Sequence, residues 1–294
     1  MSGPAAASLI SDRGRLLVSC PDRPGIVAAV SRLLFERGAN IVHSDQHSTD
    51  PAGGLFFLRV EFDLPDLATH AAAIEANFAA IAERYGMEWR LALAGKPQRL
   101  AIFVSAEDHC LLELLWQRRA GDLRADIALV IGNHATMQDV IGPWGVPFHH
   151  IEVGPDTKAE AEARQEALLA DAEIDLVVLA RYMQILSIGF VDRWRHRVIN
   201  IHHSFLPAFV GAKPYAQAHD RGVKLIGATA HYVTNDLDAG PIIEQDVRRV
   251  DHRHEVADLR RIGRQIERAV LARAVTWHVE DRILVHGNRT VVFD

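Results

Sequence analysis

From about residue 100 onward the chain repeats one pattern, a short β-branched apolar run followed by a helical stretch. The runs read "LAIFVS", "IALVIGN", "VPFHHIEV", "DLVVLA" and "RVINIHH", and between them lie stretches such as "CLLELLWQRRA" and "KAEAEARQEALLADA". Strands that are apolar on both faces and alternate with helices pair in parallel, because a parallel neighbour is reached only through a crossover, and the helices then cover both faces. In such an open sheet, ligands bind beyond the carboxyl ends of the strands. A site is therefore expected where "VINIHHSFLPAF", Val198 to Phe209, leaves the last strand of the run.

Ahead of the linker "GKPQR", Gly95 to Arg99, the pattern is different. "RLLVSC" predicts a strand, "VAAVSRLLFERG" a helix stopped by Gly38, and "ANIVHSDQHST" and "LFFLRVEFDL" two strands joined by the turn "PAGG". A helix over residues 67–85 and a strand at "EWRLALA" complete a β-α-β-β-α-β order, which is ferredoxin-like. The expected organisation is a ferredoxin-like α+β domain over residues 1–95 and a Rossmann-like, mainly parallel α/β domain over residues 96–294.

Composition removes several functions. A net charge of -6 with no basic patch does not suit a nucleic-acid surface, which needs cations to neutralise phosphates. There is no apolar run of membrane-spanning length, no basic and apolar secretory start, and only two cysteines, too few for a disulfide framework. The expectation is a cytoplasmic protein with neither membrane nor nucleic acid as partner. Although the chain has 16 histidines, it contains no HExxH or CxxC, and adjacent histidines on a strand cannot easily share one ion, so no metal is expected. Ser204 lacks a G-x-S-x-G elbow, and neither Cys20 nor Cys110 has a local activating motif.

Asn200 and His202 are one residue apart, so in extended backbone they face the same side, an amide and an imidazole aimed at one place. His203 is expected to face the other way and support the loop or bind a neighbour. A second polar stretch, "HYVTNDLDAGPII", carries Asp236 and Asp238 in a turn; the residue types alone fit turn capping as well as catalysis.

Taken together, "NIHHSFLPAF" and "GATAHYVTNDLDAGPII" resemble the folate-dependent formyltransferase family, whose members share an Asn-x-His at a strand end and an aspartate in a downstream L-D-x-G-P loop. The amino-terminal "CPDRPGIVAAVSRLLFERGANIV" is similar to the ACT module, in agreement with the ferredoxin-like order. Within the family, the domain order and the "HHSFLP" wording look closest to the formyltetrahydrofolate deformylases, which hydrolyse 10-formyltetrahydrofolate to tetrahydrofolate and formate. One residue argument points the same way. A transferase to a phosphorylated amine grips the phosphate with a glycine-rich loop after the first strand. Here that position reads "SAEDHCLLELL", with no glycine and with Glu107 and Asp108 at the helix start, where they would repel a phosphate. Water becomes the expected acceptor.

The resemblance implies roles for particular residues. Asp238 would orient and deprotonate the water, and Asn200 and His202 would donate hydrogen bonds to the formyl oxygen. "RYMQIL" resembles the family's pterin-pocket loop, so Met183 and Leu186 would line the ring, with backbone groups near Val233 and Asn235 reading its polar edge. The only folate derivative required is the substrate; no cofactor and no metal are implied. The physiological role implied is supply of formate for purine synthesis and balance of the one-carbon folate pools. The ACT module implies a homo-oligomer, dimer or tetramer, and a small amino-acid effector held near Asp22, Gly25 and Asn40. Two other functions remain open at this point, formyl transfer to an amine and a non-catalytic folate sensor.

Overall fold

The computed structural model describes residues 11–50, 53–208 and 214–294. The first ten residues, Pro51 and Ala52 of the expected "PAGG" turn, and positions 209–213, of which only 209 belongs to the strand-exit motif, lie outside the described residues. By internal contacts the chain divides into one unit of Met1–Pro97, Glu280–His286 and Val291–Asp294, and a second of Gln98–Val279 and Gly287–Thr290. The carboxyl-terminal segments grouped with the first unit are not anticipated by a single linear boundary after residue 95.

In the first unit, β1 (Arg13–Pro21), α1 (Ile26–Glu36), β2 (Asn40–Ser48), β3 (Leu55–Asp63), α2 (Leu67–Tyr85) and β4 (Glu88–Leu93) follow the expected order. The sheet runs β2-β3-β1-β4 and every pairing is antiparallel. Leu16, Val18, Val60 and Phe62 pack with Val30 and Leu34 of α1 and Ile74 and Phe78 of α2, so the apolar stripes of both helices meet the sheet in one core. The carboxyl-terminal segment is held by arginines: Arg15 meets the Asp281 carboxylate at 3.2 Å, Arg90 meets it too, and Arg59 donates to the Asp281 carbonyl at 2.8 Å.

The second unit is built on β5 (Gln98–Val104), α3 (His109–Ala120), β6 (Ala125–Gly132), α4 (Met137–Ile141), β7 (Phe148–His150), α5 (Lys158–Asp171), β8 (Leu176–Ala180), α6 (Ile188–Arg193) and β9 (Val198–His202). It continues through α7 (Pro214–Asp220), β10 (Leu225–Tyr232), β11 (Ile242–Arg249) and α8 (Val256–Val279). The seven strands lie in the order β11-β10-β9-β8-β5-β6-β7. From β9 to β7 the pairing is parallel, and β10 and β11 extend the sheet antiparallel. Every residue of β8 is buried, which explains the uninterrupted apolar run at "LVVLA".

The chain enters the sheet at β5, moves outward to β6 and β7, and returns to β8 on the other side of β5, so the order reverses between β5 and β8. That reversal is where loops separate and leave a crevice. Two hydrogen bonds tie its walls together: Ser105 N–H donates to the Arg181 carbonyl at 3.3 Å, and Met183 N–H donates to Ser105 Oγ at 2.9 Å.

Candidate active site

Asn200 lies inside β9 and His202 at its end, and β10 runs antiparallel beside them with His231 directly opposite Asn200. Asn200 Nδ2 lies 3.2 Å from His231 Nε2. An amide nitrogen only donates, so Nε2 accepts and the ring proton sits on Nδ1, which donates to the Tyr232 carbonyl at 2.9 Å. The amide plane is thereby fixed, with its second N–H left for a ligand. Asp238 comes from the turn that follows β10, in left-handed backbone at φ 54°. The turn is tight enough that a Cβ on Gly240 would stand 1.8 Å from the Tyr232 carbonyl oxygen, so only glycine fits there.

The turn carries the Asp238 carboxylate onto His202, with Oδ2 3.2 Å from Nδ1, while Oδ1 is 3.7 Å from His231 Nε2, beyond hydrogen-bond range. The hydrogen bond from His202 holds the Asp238 carboxyl well below the usual carboxylate range. His202 Nε2 is buried and has no hydrogen-bond partner among the described residues. Strand alternation thus places Asn200 and His202 together as expected. His203 departs from expectation: the strand ends at His202, alternation stops, and the His203 ring packs 5.2 Å from that of His202.

These groups open into a cavity of about 410 Å³ whose lining includes Met183, Leu186, Val233 and Asn235 along with Asn200, His202 and Asp238. Leu186 and Val233 are half-buried and also pack against the core, so each serves both purposes. Met183, 60 % exposed, stands on the rim with Ile185 and Leu237, large apolar side chains in open contact with water. The Asn235 side chain is engaged by Asp192 at 2.9 Å, and the Val233 N–H is used by the Val198 carbonyl. An apolar slot with a few convergent polar groups at its inner end suits a flat heteroaromatic ring.

Sequence reasoning missed two features. His231 stood at the head of a quoted motif, but its role depends on a strand register 31 residues away in sequence. The second is a cavity of about 620 Å³ lined by Arg181, Met183 and His203, which it shares with the first, and by Glu107, His109, Tyr215, Arg260, Arg264 and Glu267. Glu267 on α8 is only 1 % exposed and accepts from Tyr215 Oη at 2.6 Å and from His109 Nε2 at 2.8 Å, with Arg181 Nε 3.4 Å away. Burial alone would raise its carboxyl, but the His109 hydrogen bond and the Arg181 charge bring it down to about 2. Glu107 fronts this cavity, 3.8 Å from Arg264.

His109, Cys110 and Glu267 also bring three ligand-type atoms within 4.8 Å of one another. Arg181 already supplies the positive charge there, and burial together with the Glu267 charge pushes the Cys110 thiol well up, so it keeps its proton. The set is a charge network in place of a thiolate metal site.

In the first unit, Gly25 takes φ 96° at the start of α1, and Asp22 accepts from Ser48 Oγ. Asn40 opens β2, whereas Ser48 closes it, so eight residue steps, roughly 27 Å, separate Asn40 from the Asp22 end. Within one copy the three residues expected to hold an effector are not brought together.

A formyl transferase family model matches residues 98–275, and an ACT domain model matches residues 14–79. The chain is 57 % identical over 283 residues to the formyltetrahydrofolate deformylase of Bacillus subtilis, covering 96 % of this chain and 94 % of that one. The crystal structure of a formyltetrahydrofolate deformylase from Pseudomonas syringae pv. tomato superposes with a TM-score of 0.91 at 48 % identity, over 96 % of this chain and 95 % of that one. A glycinamide ribonucleotide transformylase from Symbiobacterium toebii matches 67 % of this chain and 95 % of its own, at 30 % identity and a TM-score of 0.64. With both domains matched in order and the deformylases aligned over nearly their whole length, the chain belongs to the formyltetrahydrofolate deformylase family.

Proposed function

We propose that the chain hydrolyses 10-formyltetrahydrofolate to tetrahydrofolate and formate through Asn200, His202 and Asp238. The Asp238–His202 contact of 3.2 Å at the inner end of an apolar slot carries this assignment. The pterin lies in the slot against Leu186 and Val233, Met183 covers the opening, and backbone groups at Asn235 face the polar edge of the ring. The formyl group then points at the cluster.

Water attack on the formyl carbon needs an acceptor for the water proton, donors for the oxygen that becomes anionic, and a proton for the leaving nitrogen. His202 Nδ1–H faces Asp238, so in the protonated ring Nε2–H is free to donate to the formyl oxygen beside the Asn200 amide. Asp238 starts as a weak base because His202 stabilises its charge. As the carbon–oxygen bond forms, His202 gives its Nε2 proton to the oxyanion, the stabilising charge disappears, and Asp238 becomes basic enough to take the water proton. Collapse reverses the roles: Asp238 returns its proton to the folate nitrogen, the carbon–nitrogen bond breaks, and His202 recovers its proton from one of the two hydroxyls on the departing carbon. This leaves formic acid, which gives its remaining acidic proton to solvent and becomes formate. Substrate, water and these side chains account for every proton up to formic acid, so the proposed steps call on no metal or other cofactor.

A hydrolase releases formate and tetrahydrofolate in equal amounts from 10-formyltetrahydrofolate with no amine present. Product only after an amine is added would mean transfer instead. In the family's metabolic setting, the activity supplies formate for purine synthesis and limits the formylated folate pool.

The ACT unit fits assembly and control. β2 is an edge strand with Ile41 and Val42 exposed, and such edges pair readily. Antiparallel pairing of β2 with its counterpart in a second copy would set Asn40 of one copy beside the Asp22 and Gly25 turn of the other. A small amino acid would bind there, in a dimer or higher oligomer; sedimentation with and without candidate amino acids tests both points. Two buried free cysteines suit the reducing cytoplasm.

A further inference from the structure

The reaction steps above leave unused a second set of charges beside the active site, centred on Arg181 and Glu267. Arg181 follows β8 in left-handed backbone at φ 62°, a conformation that costs a non-glycine residue energy and persists where surrounding structure enforces it. The enforcement is visible in the bonds from Ser105 N–H to its carbonyl and from Met183 N–H to Ser105 Oγ. Its guanidinium is largely buried, yet among the described residues Nε and Nη1 have no hydrogen-bond partner. Glu267 stands 3.4 Å from Nε as a counter-charge, with its own oxygens taken by His109 and Tyr215. That approach of Tyr215 is built in, since a Cβ on Gly263 would lie 1.9 Å from its hydroxyl. Buried donors left unpaired are costly, and a guanidinium held in this way is a receptor for a carboxylate.

We infer that the 620 Å³ cavity is a subsite for a small carboxylate anion, the formate product, bound at its inner end by Arg181 and drawn outward past Arg260 and Arg264. Three features support this. Arg181, Met183 and His203 line both cavities, so the second cavity adjoins the place beside His202 where formate is released. That ring is uncharged at working pH, since burial and the nearby Arg181 lower it to about 4, and it offers the anion no competing charge. Arg260 and Arg264 stand one turn apart on α8, and with Arg181 they outnumber the carboxylates of Glu107 and Glu267 by three to two, a net positive lining. The volume is far larger than formate, which leaves room for a hydrated exit.

The inference rests on the deformylation reading, and one experiment separates the two. Initial rates of tetrahydrofolate formation by the full-length protein are measured with added sodium formate, against sodium chloride at equal ionic strength. Formate should inhibit more than chloride and not purely in competition with 10-formyltetrahydrofolate. Arg181→Met should raise the formate inhibition constant about tenfold and Arg264→Gln about twofold, and in Arg264→Gln, where the altered residue does not line the folate slot, the tetrahydrofolate inhibition constant should be nearly unchanged. Should Arg181→Met fail to fold, Arg181→Lys retains the charge without the planar fork and should weaken formate about threefold. Formate no stronger than chloride, purely competitive formate, or a formate constant unmoved by both Arg181 variants overturns the subsite. Absence of tetrahydrofolate formation in the uninhibited enzyme would instead overturn the deformylation reading.

Discussion

Two carboxylate–imidazole pairs stand on either side of His203, and they are alike in chemistry and opposite in accessibility. Asp238 meets His202 at 3.2 Å and Glu267 meets His109 at 2.8 Å, and both carboxyls are held below the ordinary range. Asp238 sits on a strained turn at the inner end of an apolar slot, 13 % exposed, beside an imidazole with one nitrogen unpartnered among the described residues. Glu267 sits on a long helix, 1 % exposed, with both oxygens already accepting. A carboxylate with spare valence beside a ligand cavity can exchange protons, whereas a saturated one can only fix charge. Asp238 is therefore assigned to chemistry, and Glu267 to holding Arg181.

The comparison breaks most sharply at Asp238. Asp238→Asn keeps the shape of the turn, so kcat/KM should fall about 10³- to 10⁴-fold in a chain that still folds, though with some stability lost because the charge that His202 stabilises is gone; a fall under tenfold would remove Asp238 from the chemistry. Glu267→Gln should do the reverse, leaving turnover per folded molecule within about tenfold but costing about 3 kcal/mol in urea unfolding near neutral pH, because Arg181 loses its counter-charge. The pH dependence of that cost has a definite sign. The Glu267 carboxyl is at about 2 in the folded chain and about 4.3 when unfolded, so its contribution is complete above about 4.3 and disappears as pH falls toward 2. Unfolding curves of variant and wild type should accordingly converge in acid.

For activity the pH prediction concerns the other pair. Because Asp238 stays ionised below the usual carboxylate range, kcat/KM should show no acid limb near pH 4. The smallest effect is expected at the rim: Met183→Ala should raise KM about three- to tenfold with kcat little changed, as fits loss of one apolar contact made equally in ground and transition states. An equal loss in kcat would move Met183 from binding to chemistry.

How much of this was legible in the sequence depends on how local each signal is. Asn200 and His202 could be read because strand alternation over three residues fixes their common face. The parallel sheet followed from β-branched runs alternating with helices, and β8 shows why, being buried over its whole length. Asp238 gained meaning only through the family motif, since Asp, Asn and Gly in a turn look the same whether or not they do chemistry. His231 depended on the register between β9 and β10, which no local pattern encodes. Glu267 in "RQIERA" is indistinguishable from a solvated helix charge until α8 is packed against Tyr215 and His109. The carboxyl-terminal segment grouped with the first unit was hidden for the same reason, because its anchors Arg15, Arg59 and Arg90 lie roughly 190 to 270 residues earlier.

The central claim is that water positioned by Asp238 attacks the formyl carbon. Single turnover of 10-formyltetrahydrofolate in water enriched in oxygen-18, with no amine present, tests it most directly. The formate released should carry one solvent oxygen, and it should appear at a rate about 10³-fold or more above that of Asp238→Asn. Formate that forms only with an added amine, or forms equally fast in the variant, would contradict the account.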